Sequence, residues 1–315
     1  MGAHPGDPAF VRFGEDARWF REELLRRSVS LTKGSDLDLA LERMEEISTF
    51  GANRLEVTSE RATELTAILR TPELVTRVRA MLLDGTDAAH LVRCVRAAVE
   101  HNPRVFDGKW NLFAGPDVVL ARSYGRVPER DRVWELYIAA ACLKLDSSAD
   151  VRIASNDNPD IRCVVRGTYW GIECKAFGSV DTARHVTNLE KALRQIQGST
   201  VERGLVAVNL TPALDHTQYH ASLGSFGTEM FTPDDIASDL RDQVLTLTNR
   251  ILETGFRQKA RMFPKARGLF FHAQTIALAG KTLTSTTFRH WIFLGERDGA
   301  DVKMEGRFEA AIRGQ

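Results

Sequence analysis

Apolar residues recur at spacings of three and four from about residue 14 to residue 101, in blocks over 36–47, 58–70, 72–83 and 88–101. That period lines them up on one helix face, so the first third of the chain is expected to be all helical. Residues 102–128 lose the period and gain Gly, Pro and isolated aromatics; they read as a connection with one short strand over 118–121. From residue 129 the pattern turns mixed. A helix is predicted over 129–145, where Trp134, Ile138, Ala141, Cys142 and Leu145 share a stripe. Strands are predicted over 151–154, 161–166, 169–177 and 204–210, with a helix over 183–197 stopped by Gly198. Thr232-Pro233-Asp234-Asp235 opens a long helix to about residue 254, and the apolar runs 268–279 and 288–294 read as late strands. The chain thus divides into a helical region with its linker, 1–128, and an α/β region, 129–315.

The most informative stretch is Asn156 to Phe177, NDNPDIRCVVRGTYWGIECKAF. With Gly167-Thr168 as a two-residue type II′ turn, Arg162 faces Glu173, Ile161 faces Cys174 and Asp160 faces Lys175. One face of the hairpin then collects Ile161, Cys163, Val165, Trp170, Ile172 and Cys174. The other collects Asp160, Arg162, Glu173 and Lys175, with Val164 as its aliphatic member. A slip of one residue would mix the faces; a slip of two would preserve them.

Composition narrows the classes. The chain has 315 residues, 42 basic and 42 acidic, so it carries no global attraction for polyanions and any such contact must be local. An apolar fraction of 43% with 27% charged residues excludes global disorder. The longest apolar stretch, 268–280, is broken by His272 and Gln274 and is too short to cross a bilayer. The start has no basic segment followed by an apolar one, and no Ser or Thr at position 6 after Gly2. Neither a secretory signal nor a myristoyl anchor is expected. Cys94, Cys142, Cys163 and Cys174 form no CxxC pair, which argues against a zinc site or disulfide framework and fits a reducing cytoplasm.

Two carboxylates and an ammonium at one end of a hairpin have two readings. Close carboxylates repel unless neutralised, and hard oxygen ligands suit Mg²⁺, with Mn²⁺ as substitute. A Lewis acid, an acidified water and a positive group at the developing charge are the parts that phosphodiester hydrolysis needs. Alternatively, Arg162 opposite Glu173 and Asp160 opposite Lys175 make a solvated ion-pair ladder.

Pro159-Asp160, twelve intervening residues, then Glu173-Cys174-Lys175 resembles the PD-(D/E)xK nuclease superfamily, the restriction-endonuclease-like fold. The resemblance implies an αβββαβ core, a mixed central sheet flanked by helices, across roughly residues 129–210, with residues 1–128 outside it. It implies Asp160 and Glu173 as metal ligands, the Cys174 carbonyl as a third, and Glu135 on the preceding helix holding a metal-bound water or second ion. Lys175 would position the attacking water. Gln195 matches the Gln that some branches add, but Ser199 stands where their Tyr would be. Two other acid-x-Lys triplets, Asp107-Gly108-Lys109 and Asp301-Val302-Lys303, lack the upstream Pro-Asp hairpin.

Arg184, Asn188, Lys191 and Gln195 form a polar helix stripe that either borders a nucleic-acid groove or is simply solvated. Arg257, Lys259, Arg261, Lys265 and Arg267 fall within eleven acid-free residues and could track phosphates, or form a charged loop. His216 and His220 do not read as a metal pair, and the GSFG at 224–227 lacks the Lys of a phosphate loop. The expected activity is that of a Mg²⁺-dependent hydrolase, a DNA endonuclease in restriction or defence, with homodimerisation expected from cutting both strands. The alternative is a catalytically inactive nucleic-acid-binding or assembly protein of the same fold. The N-terminal helices are candidates for binding a protein partner.

Overall fold

In the computed structural model, the described residues are 8–28, 130–145, 150–151, 159–178, 180–216, 231–279 and 282–313. Single positions between 31 and 79 are also described. The elements in chain order are α1 (Pro8–Arg26), α2 (Arg130–Leu145), β1 (Asp150–Val151), β2 (Ile161–Val165), β3 (Thr168–Ala176) and α3 (Thr182–Gly198). Then come β4 (Arg203–Asn209), α4 (Pro233–Ile251), the short α5 (Arg257–Ala260), β5 (Ala266–Ala279), β6 (Thr282–Phe293) and α6 (Gly299–Arg313). Positions 38, 41, 42, 44, 45, 48, 75 and 79 are helical, as the apolar period over 36–47 and 72–83 predicts. The helices expected over 58–70 and 88–101, the linker with its strand at 118–121, and the 128/129 boundary lie outside the described residues.

The six strands form one mixed sheet in the order β1 to β6. β2 runs antiparallel to both β1 and β3; β3, β4 and β5 are parallel; β6 returns antiparallel to β5. A parallel pair needs a crossover, and α3 and α4 supply the two required. Helices cover both faces, an α/β arrangement. On one face, Trp134, Tyr137 and Ile138 of α2 meet Cys163, Trp170, Ile172, Leu205 and Phe270; Phe20 of α1 and Phe308 of α6 join the same cluster. On the other, Val186, Leu189, Leu193 and Ile196 of α3 and Leu240, Val244 and Ile251 of α4 cover Val206, Val208, Leu269 and Phe271. The α2 stripe read from the sequence, Trp134, Ile138, Ala141, Cys142 and Leu145, is the one that packs.

Sequence patterning leaves α6 out. Its Met304, Phe308 and Ile312 recur every four residues and are buried, a signal that Gly299 and Gly306 obscure. α6 is fixed at its start by Asp301, which is buried and accepts from Arg203 at 2.9 Å and Arg267 at 2.7 Å. The Asp301-x-Lys303 triplet is therefore helical, its acid serving to join α6 to the starts of β4 and β5. The long helix after Thr232 begins with a reciprocal Thr232–Asp235 cap and breaks after Ile251 into a wider π turn, where Gly255 takes φ 79°.

The hairpin register differs from the expected one by two residues. Val165 pairs with Thr168, so Arg166 (φ 50°) and Gly167 (φ 81°) form the turn, both in the left-handed region that a type I′ turn demands. Arg162 then faces Gly171 and Ile161 faces Ile172. Alternation has period two and cannot distinguish these registers. What separates them is packing, because Gly171 lies under Pro159. A β-carbon on Gly171 would stand 2.5 Å from Pro159 Cγ and 3.1 Å from Val201 Cγ1.

Candidate active site

The observed register removes the cross-strand pairs on which the ion-pair ladder rested. Arg162 is opposite Gly171, so the expected Arg162–Glu173 and Asp160–Lys175 rungs do not form. Instead Asp160, one residue before β2, reaches across to the middle of β3: its Oδ2 accepts the Cys174 amide at 2.7 Å. Pro159, seated on Gly171, holds the backbone that presents it. Along β3, Glu173 and Lys175 are two residues apart and so project to the same side, where Lys175 Nζ donates to Glu173 Oε2 at 2.9 Å. Cys174 between them points into the opposite core, where burial pushes its thiol pKa well up. Only its backbone can serve the charged side.

Electrostatics separate the three groups. The Glu173 side chain is fully buried, while that of Lys175 keeps 23% of its surface in solvent. Glu173 Oε1 is buried with no hydrogen-bond partner. Burial pushes the Glu173 pKa up to about 8; the Asp160 charge adds to that, Lys175 opposes it, and Glu135 adds a little more. Burial pulls Lys175 down, but Glu173 and Asp160 together outweigh it and hold the ammonium above its ordinary value. One cation therefore faces two or three carboxylates, and the imbalance is met by Glu173 keeping its proton up to about pH 8 unless another cation takes the proton's place. A carboxylate oxygen in that condition suits a hard divalent cation. The donor set fits Mg²⁺ or Mn²⁺ on this count. Among the described residues, no three His, Cys, Asp or Glu side chains lie close enough to hold an ion together. A cation held here would therefore have at most Asp160 and Glu173 as side-chain ligands, with Glu135 contributing through its charge.

Comparison with protein-family models, curated proteins and solved structures finds no match in any of the three.

The other expected site residues are spread out. Gln195 is half-buried near the end of α3, with its Oε1 buried and unpartnered. The next residue, Ile196, covers Gly204, which pairs with Gly171, so Gln195 stands two residues behind Glu173 along the sheet. Arg184 and Lys191 are exposed on α3. Arg257, Lys259 and Arg261 are exposed, but Lys259 is bound to Glu190 at 2.7 Å and Lys265 donates to the Ser199 carbonyl at 2.7 Å. The Lys265 carbonyl accepts from Gly204, level with Gly171. This basic run therefore borders the starts of β4 and β5, about 13 Å along the strands from Lys175. His216 is a core histidine: its Nε2–H donates to the Thr211 carbonyl, so its Nδ1 accepts from Thr275. Burial lowers its pKa, in keeping with that neutral tautomer. His220, the GSFG stretch and the Asp107-Gly108-Lys109 triplet lie outside the described residues. Gly171 is the residue that patterning missed; a glycine inside an apolar strand is the sign of close approach by another segment.

No helix of the described residues is long and apolar enough to cross a membrane.

Proposed function

We propose that the chain is a metal-dependent nuclease of the PD-(D/E)xK type, a restriction-endonuclease-like fold that hydrolyses phosphodiester bonds in DNA. One observation carries this: Glu173 Oε1 is buried and unpartnered in a carboxylate that shares its neighbourhood with Asp160 and Lys175. A structural ion pair would ordinarily give both carboxylate oxygens a protein partner. The order helix, three antiparallel strands, helix, parallel strand supports the same reading, since α2-β1-β2-β3-α3-β4 is the αβββαβ order.

Asp160 and Glu173, with the Cys174 carbonyl, would hold Mg²⁺ or Mn²⁺. Bound there, the cation supplies a Lewis acid for the scissile phosphate and lowers the pKa of a water. Cys174 N–H fixes the Asp160 carboxylate. Lys175 keeps its proton across the physiological range, so it orients a water by donation and offsets charge that develops on the phosphate. Glu135 adds negative field that favours cation entry.

The test is plasmid nicking or linearisation by the purified chain with Mg²⁺ or Mn²⁺, run beside EDTA and an RNA substrate. Asp160→Ala and Lys175→Ala are each expected to lose at least about 100-fold in rate, in the range seen when a charge-stabilising group is removed. Identical plasmid patterns for wild type and both variants would remove the nuclease proposal. A second reading, a catalytically inactive nucleic-acid-binding or assembly protein, is favoured by the Lys175–Glu173 contact, which can be simple neutralisation. It predicts DNA binding that EDTA and Lys175→Ala leave unchanged.

A further inference from the structure

The β5–β6 hairpin outgrows the sheet that carries it. β4 accompanies β5 only as far as the Asn209–His272 rung. β5 and β6 stay paired for seven further rungs, from Ala273–Phe288 to Ala279–Thr282. At about 3.4 Å per residue this makes a ribbon of roughly 24 Å beyond β4. Its base is tied down, because Thr211 Oγ1 accepts from the Gln274 amide and His216 pairs with Thr275. The outer four rungs, Ile276–Ser285 to Ala279–Thr282, have no other strand of the sheet beside them among the described residues. β3 and β5 are both parallel to β4, so the ribbon leaves the sheet at the end where Lys175 stands.

Charge along this part of the chain is one-signed. From Thr254 to Gly295, 42 residues contain seven Lys or Arg and no Asp or Glu, although the whole chain holds 42 acids in 315 residues. In sequence, the outer ribbon combines that absence of acid with hydroxyl residues on β6: Thr282, Thr284, Ser285, Thr286 and Thr287. Ser and Thr donate to phosphates and to base edges alike, and methyl groups of Thr and Ala meet the thymine methyl.

We infer that this ribbon is the duplex-binding element and that it enters the major groove of B-form DNA. The inference deepens the nuclease proposal and rests on it. The major groove is about 12 Å wide and admits a two-stranded ribbon. β3 lies two strands from β5, about 10 Å across the sheet, and about 12 Å from the ribbon axis. A ribbon in the groove therefore brings a flanking sugar–phosphate strand over Lys175, Asp160 and Glu173. The basic run at 257–265, at the far end of the sheet, is not needed for that contact. The major groove of A-form RNA is too deep and narrow for side chains to read, so the ribbon selects DNA over duplex RNA.

The test uses the full chain, a labelled 30-base-pair DNA and the same sequence as duplex RNA, titrated in EDTA at 50–200 mM salt, with plasmid cleavage in parallel. Thr282→Glu/Thr284→Glu is expected to weaken DNA binding at least tenfold, and Thr282→Lys/Thr284→Lys to tighten it and steepen the salt dependence. Opposite responses to opposite charge at the same two positions cannot come from misfolding. DNA binding within twofold of wild type in both variants overturns the ribbon, as does RNA bound as tightly as DNA. If wild type cleaves plasmid and both variants bind DNA as wild type does, the ribbon falls and the nuclease stands. If wild type neither binds nor cleaves DNA, both fall.

Discussion

Glu173 joins two opposed demands in one side chain. Its folded pKa, about 8, lies above the 4.5 of a free glutamate, so the folded chain holds this proton more tightly than the unfolded chain. The sign follows from linkage: the contribution to stability is complete below pH 4.5 and is lost as pH rises toward 8. Glu173→Gln removes the ionisable group, and in thermal melts from pH 4.5 to 8.5 it should flatten that decline, melting roughly 5 °C above wild type at pH 8. Millimolar Mn²⁺ at pH 8 should raise the wild-type melting temperature by several degrees and leave Glu173→Gln unmoved. Parallel pH curves for the two proteins would show that Glu173 bears no such burden. Stability given up at a charged residue is the usual accompaniment of a site built for a ligand.

The β2–β3 hairpin shows what sequence resolves at the scale of an element. Alternation put Ile161, Cys163, Val165, Trp170, Ile172 and Cys174 on one face, and they share one core cluster, because burial enforces a period of two. It could not fix which residues sit opposite, because both registers satisfy the period. The deciding contact, Pro159 on Gly171, joins residues twelve apart and involves no side chain on one partner, so no local pattern announces it. The positive φ at Arg166 was equally hidden, since arginine is not a residue that advertises a left-handed turn. Gly171→Ala tests the element directly. Its methyl would force Pro159 away, which is expected to cost about 1–3 kcal/mol and to abolish the Mn²⁺-induced shift by moving Asp160. Gly198→Ala, where a β-carbon meets nothing within 4 Å, should leave both measurements unchanged. If Gly171→Ala keeps the full Mn²⁺ shift, the corner does not position Asp160.

For the whole molecule, the main strands and the covering helices α2, α3 and α4 were recoverable from helix stripes and apolar runs, whereas α6 was not. The role of the polar residues at the sheet's far end was not. Arg203, Arg267 and Asp301 are 34 to 98 residues apart and meet only once the sheet has formed. Hydrogen bonds to Asp298 and Asp301 raise the Arg203 pKa, and its partner Asp298 is held below the ordinary carboxylate range. Asp301→Ala leaves Arg203 and Arg267 repelling each other beside a buried gap. Urea unfolding should show a loss of roughly 3 kcal/mol with an unchanged slope, while Asp298→Ala, at an exposed position, should matter far less. Equal losses would mean that the buried carboxylate has no special part.

The grip on Asp301 also sets the order of events during synthesis. β4 and β5 emerge from the ribosome with Arg203 and Arg267 already in place. The carboxylate that neutralises them follows 98 and 34 residues later. Until then the start of the sheet carries two adjacent uncompensated cations, so the nascent domain reaches its full stability only after α6 has been translated.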